Sequence, residues 1–214
     1  AVILIFLVLL LALPSVALPF IFMATIGAAY AYNMGIAYIF GQRVSYITNS
    51  CAAALQLGVT MDYCIFLIHS FQAERKTHDP ETAMEKAIAS TATAVVASAI
   101  TTATGFAALA LMSVRLGADM GLFMARGILL SVIATLTVLP SLVLVFQGVI
   151  DKFAHRSFLP RFDGIANWAI RRRVPVFALA VVIMAAGYYG YSKVELNYDL
   201  EATFPQEIPS IVAM

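Results

Sequence analysis

Asp62 lies inside the apolar run Cys51–Ile68, is followed at once by Tyr63, and has Gly58 one helical turn before it. The run is long enough to cross a bilayer, which places the carboxyl group near mid-depth. A charge there costs at least about 2.5–3.5 kcal/mol on insertion scales. A carboxyl group held at that depth suits reversible protonation, with the neighbouring tyrosine hydroxyl to orient it or pass the proton. Gly58 and Asp62 share one helical face, and a glycine on such a face admits a neighbouring helix closely. Asn49, Gln56 and Tyr63 recur every seven residues and form a second polar stripe. Further along, Ser98, Thr101, Thr102 and Gly105 follow the spacing i, i+3, i+4, i+7 and make a small, hydroxyl-bearing face. The two faces are expected to meet, desolvating Asp62 so that its pKa rises and it binds a proton near neutral pH. Simpler roles compete. The Ser/Thr face could serve packing alone, and Asp62 could pair with Arg126, although that residue falls toward the opposite end of its helix. Arg126 is expected to snorkel outward or to pair with Asp119.

The elements that position these groups read as membrane helices. Of the 214 residues, 62% are hydrophobic and 12% charged, with a mean hydropathy of +0.90; a soluble domain is about one quarter charged. The formal net charge of +1 gives no nucleic-acid surface. Cys51 and Cys64 fall in one predicted span, so a disulfide is not expected. No His or Cys cluster suggests a metal site, and no cofactor is implied other than protons as a coupling ion.

Five full spans are predicted: Val16–Phe40, Ser45–Ser70, Ser90–Val114, Met120–Val149 and Val174–Tyr191. Pro14 and Pro19 mark the turn into the first of them, and Gly41-Gln42-Arg43 closes it. Pro140 is expected to kink its helix or end the regular part. The opening stretch Ala1–Leu13 reads as a truncated helix, and Lys193–Met214 as the start of a soluble domain. Nine cations (Arg75, Lys76, Lys86, Lys152, Arg156, Arg161 and Arg171–Arg173) occupy two loops, against Arg43, Arg115 and Lys193 on the other side. The crowded loops are therefore cytoplasmic. Asp79-Pro80-Glu81 signals a short helix start leading into the span at Ser90. Phe158, Phe162, Ile165 and Ala169, beside Trp168 and the triple arginine, suggest an interfacial amphipathic helix in a linker over residues 150–173.

The stretch from Gln56 through Gly58, Asp62 and Tyr63 to Leu67 resembles the fourth transmembrane helix of the RND superfamily, specifically its MMPL-type lipid and hydrophobe exporters. That helix carries Gly-x-x-x-Asp, usually followed by tyrosine. The resemblance continues through Ser98–Phe106, Asp119-Met120-Gly121, Gly127 and Val138-Leu139-Pro140, then Asn197-Tyr198-Asp199, Phe204-Pro205 and Pro209. It implies an all-α polytopic RND-type bundle, read here as helices two to seven, with the start of an α+β extracytoplasmic porter domain at residues 192–214. It further implies a non-enzymatic, proton-driven exporter of lipids, hydrophobic or amphiphilic compounds, including drugs. The setting would be a bacterial plasma membrane, with a look of Gram-positive exporters. Asp62 and Tyr63 map onto the family's proton relay, with Gly58, Gln56, Ser98, Thr101, Thr102 and Gly105 as packing or relay support. The implied partners are membrane lipids, a lipidic substrate and a second half of the same transporter. Sterol-sensing-type lipid receptors and SecDF translocation helpers share the helical core and are the alternatives.

Overall fold

The structure, a computed structural model, describes residues 6–10, 13–42, 44–111, 115–153, 168, 170–191 and 193. Helical residues 6–10 (α1) are followed by α2 (Ala17–Ile39), α3 (Tyr46–Glu74), α4 (Pro80–Ala108), α5 (Arg115–Val145), α6 (Gln147–Lys152) and α7 (Arg173–Tyr191). A 3-10 turn, Leu109–Leu111, extends α4. Five of these helices are long and apolar enough to cross a bilayer. The chain is an all-α polytopic membrane protein in its described part. Residues 192 and 194–214, with all but residue 193 of the predicted porter-domain start, and residues 154–167 and 169, with Phe158, Phe162, Ile165 and Ala169 of the predicted amphipathic helix, lie outside the described residues. The chain divides into a unit Ala1–Leu159 and a unit Pro160–Met214; α7 belongs to the second.

Local chemistry sets the helix ends. The Ser45 side chain accepts from the Thr48 N–H at 3.1 Å and caps α3. Asp79 accepts from the Thr82 N–H at 3.2 Å, with Pro80 as the first residue of α4. Gly41 takes φ 62°, a left-handed conformation that favours glycine. There the Gly41 N–H donates to Tyr38 O (3.0 Å) and the Gln42 N–H to Ala37 O (2.9 Å), satisfying carbonyls at the end of α2.

Two expectations about helix ends are corrected. The helix that starts at Pro80 and the span expected from Ser90 are one unbroken helix, because residues 81–89 contain neither glycine nor proline. Pro140 does not end α5, which runs on to Val145; the break falls at Phe146, and α6 follows as a separate short helix.

In the first unit α5 is the central helix, packed against α2, α3 and α4, while α3 also packs against α2 and α4. At one end Leu18, Phe22, Leu67, Ile68, Met84, Leu139 and Val143 form a shared apolar core. Further along, the buried stripe Val95, Ala99 and Ala103 of α4 meets Tyr63 of α3 and Ala125, Ile128 and Val132 of α5. Short α6 is tied down at that first end. Ser15 donates through Oγ to Ile150 O (2.9 Å), the Val16 N–H donates to Phe153 O (3.4 Å), and Arg75 grips Asp151 bidentately at 2.7 and 2.5 Å.

Candidate functional site

Asp62 is the seventeenth residue of the 29-residue α3, close to its middle. Its carboxylate is exposed on an open side of the bundle. Among the described residues it makes no hydrogen bond or ion pair. It opens onto a groove of about 290 Å³ between α3 and α4, lined by Asp62, Tyr63, Phe66, Ala94, Val95 and Ser98. Tyr63 is only 7% exposed, and its hydroxyl is buried without a hydrogen bond of good geometry, Ser98 being its polar neighbour. The groove therefore holds a carboxylate, a buried phenol and a serine hydroxyl with donor and acceptor capacity left over. Such a group of atoms can take up and release a proton, or hold a water between them.

The remaining predicted residues divide. Ser98 reaches the groove. Thr101 and Thr102 donate to the carbonyls of Ala97 and Ser98 on their own helix, each at 2.9 Å. The expected close contact between the Gly58 face and the Ser98–Gly105 face is not made. A Cβ at Gly58 or at Gly105 would meet nothing within 4 Å. The reason lies in the packing of α4: it turns Val95, Ala99 and Ala103 inward, which leaves Ser98, Thr101 and Gly105 exposed. Of the two small faces, Asp62 and Ser98 line the groove, while Gly58, Thr101 and Gly105 are exposed.

Gln56 also differs from expectation. It is buried on another side of α3, where its amide donates to Gly127 O at 3.2 Å and accepts from Asn33 Nδ2 at 3.4 Å. It opens a ladder between α3 and α5. Thr60 Oγ1 lies 2.8 Å from Ser131 Oγ, and Cys64 Sγ lies 3.9 Å from Thr135 Oγ1. Each rung joins residues 71 apart, as two helices running in the same direction require. Gly127 has no Cβ because the Asn33 amide would stand 2.7 Å from it, and Gly121 because Phe106 O would stand 2.5 Å away.

Arg126 pairs with neither Asp62 nor Asp119. It donates through Nε to Asn33 Oδ1 (2.8 Å), and through its terminal nitrogens to Gln42 Oε1 (2.9 Å) and Asn33 O (3.4 Å). Asp119 lies seven residues earlier on the same helix, about 10 Å along the axis, while Asn33 and Gln42 sit directly opposite. Sequence reasoning missed Asn33 and the ladder, although the four-residue spacing Gln56, Thr60, Cys64 and Gly127, Ser131, Thr135 was open to view.

A family model, the MMPL family, matches residues 1–176. The chain belongs to the MMPL family. Among its relatives is the Streptomyces coelicolor "Putative membrane protein SCO0839", 33% identical over 230 aligned residues that cover 100% of this chain and 32% of that protein. The Mycobacterium leprae "Probable transport protein MmpL10" is 28% identical, covering 88% of this chain and 20% of that protein. The Mycobacterium tuberculosis "Probable transport protein MmpL12" is 26% identical, covering 88% and 17% respectively. This MMPL chain thus spans less than a third of the length of these curated relatives.

Proposed function

We propose that this MMPL chain is part of a bacterial plasma-membrane exporter of lipidic, hydrophobic or amphiphilic compounds, driven by proton influx, with Asp62 as the proton-carrying group. The observation that carries the reading is the carboxylate at the middle of α3, without a partner among the described residues, beside a buried phenol that also lacks a hydrogen bond of good geometry. In hydrocarbon an ionised carboxylate in that position is unfavourable, and protonation relieves the penalty. Its charge state therefore favours different surroundings, which gives a two-state element that a proton can bias. One proton moving down the membrane potential supplies roughly 2.3 kcal/mol per 100 mV. Relatives that carry the name of transport proteins support the same reading. The open face of Gly58, Asp62, Ser98, Thr101 and Gly105 is, on this proposal, where the second half of the transporter docks and completes the relay. Tyr63 orients Asp62 or passes its proton, and the cation-rich loops face the cytoplasm.

The test is Asp62→Asn in the full-length protein. Asparagine is nearly isosteric and cannot release a proton, so export is lost while expression and insertion persist. Tyr63→Phe, which removes only the hydroxyl, lowers export less. Full transport by Asp62→Asn would eliminate the proton-driven reading and favour a lipid receptor of the sterol-sensing type.

A further inference from the structure

The loop end of α2 and α3 holds a cation with no counter-charge among the described residues. Arg126 lies eleven residues beyond Arg115 in α5, and its guanidinium is held by Asn33 Oδ1, Asn33 O and Gln42 Oε1 while packing over the Phe123 ring at 5.2 Å. All three acceptors are neutral. The ion pairs among the described residues, Arg75–Asp151 and His78–Glu74, involve other groups. A guanidinium has five N–H donors; three are engaged, and two remain. The residue is half-buried, and its bond to Gln42 is at the exposed edge of the group. Tyr38, Phe40 and Tyr46, exposed by 88, 74 and 86%, ring the same loop, as aromatic side chains do at a bilayer–water boundary; Asn33 lies about 7.5 Å of helical rise inside Tyr38. The left-handed turn at Gly41 brings Gln42 back over the bundle to reach Arg126.

We infer that Arg126, oriented by Asn33 and Gln42, is a binding site for the anionic headgroup of a membrane amphiphile, a phosphate or similar oxyanion just inside the aromatic ring of residues. A fixed guanidinium presents its remaining donors to an oxyanion without a further ordering cost, and charge-assisted bonds to such oxygens are the stronger kind. The apolar body of the ligand would lie along the exposed side chains below that ring. The inference stands whether or not Asp62 carries protons.

The experiment uses the full-length protein in phosphatidylcholine nanodiscs containing a minority of phosphatidylglycerol, with native mass spectrometry reading the lipid that stays bound. The wild-type protein retains phosphatidylglycerol in preference to phosphatidylcholine. Arg126→Gln lowers that retention on the order of ten-fold, the size of one lost charge-assisted hydrogen bond. Gln42→Ala keeps the charge but loosens the guanidinium, and lowers retention less. Displacement of phosphatidylglycerol by inorganic phosphate assigns the site to free oxyanions; resistance to it assigns the site to lipid headgroups. No preference in the wild-type protein overturns the inference without recourse to any variant. A folded Arg126→Gln that retains phosphatidylglycerol as the wild type does overturns it equally.

Discussion

Two sides of α3 treat polar groups in opposite ways. On one side Gln56, Thr60 and Cys64 face α5, are buried, and each meets a polar atom 71 residues further along the chain. On the other, about 160° around from Thr60 at 3.6 residues per turn, Asp62 stands open with no bond among the described residues. Backbone and side-chain polar groups inside a bilayer must be satisfied locally. The ladder meets that demand within the chain and is therefore structural. The Asp62 side leaves it unmet, which is what a group that changes protonation and partners requires. Polarity on a membrane helix is thus not itself the mark of a working site; the mark is polarity left without a partner.

Substitutions at closed and open contacts test this contrast, and the largest loss of stability is expected where α5 meets the end of α4. A side chain at Gly121 would meet Phe106 O at 2.5 Å and Ala110 N at 3.1 Å, backbone atoms that cannot step aside. Gly121→Val is expected to destabilise by the upper part of the ~1–3 kcal/mol overpacking range, read as a lower thermal midpoint in detergent. Gly127→Ala comes next, because its new methyl meets the ends of the Asn33 and Gln56 side chains at 2.7 and 3.2 Å, which can shift; about 1 kcal/mol is expected. A double-mutant cycle of Thr60→Val and Ser131→Ala should give a coupling of about 0.6 kcal/mol, the mean for hydrogen bonds between membrane helices. A coupling of zero would remove the ladder from the comparison.

The Arg75–Asp151 pair should show a smaller effect that depends on pH. The Arg75 guanidinium, by hydrogen bonding, holds the Asp151 carboxyl below its ordinary value. A depressed folded pKa means that the stabilisation is fully present above the unfolded value of about 3.9 and is lost as pH falls through the folded one. With side-chain exposures of 28% and 48%, screening limits the pair to less than about 1 kcal/mol. Asp151→Asn should lower the midpoint slightly at neutral pH and leave no difference from wild type once the pH is below the folded pKa.

The smallest effect on this bundle is expected at Gly58, where a new side chain meets nothing within 4 Å. Gly58→Leu in the full-length protein should nonetheless impair transport if another part of the protein docks on the open face. Unchanged stability together with unchanged transport would make the Gly58 side ordinary lipid-facing surface and dissolve the contrast.

Much of the fold was legible because its signals are local. The cap at Asp79, the stop at Gly41 and the five apolar stretches each rest on a few adjacent residues, and all appear in the structure. Asp62 was legible for a related reason, since a lone carboxyl group in an apolar run is anomalous without knowledge of its neighbours. What failed depended on partners far along the chain. Gly58 and Gly121 look alike in sequence, yet one faces open space and the other faces the backbone of α4. Arg126 was expected to snorkel outward or to pair with the acid on its own helix, because Asn33, ninety-three residues away, gave no sign of facing it. The offset of 71 residues that aligns the ladder is a property of the packed helices and is written in neither of them.

The fastening of α6 has a mechanical consequence. Through Ser15, Val16 and Arg75, this short helix binds the start of α2 and the end of α3 to one point on the tail of α5. These ends then form a fulcrum, and α3 a lever of 29 residues, about 44 Å long by helical rise. A tilt of roughly 5° at the fulcrum would carry the far end about 4 Å, with Asp62 sweeping about half that distance. A disturbance at the carboxylate, too small to matter where it arises, would be delivered enlarged at the opposite face of the membrane.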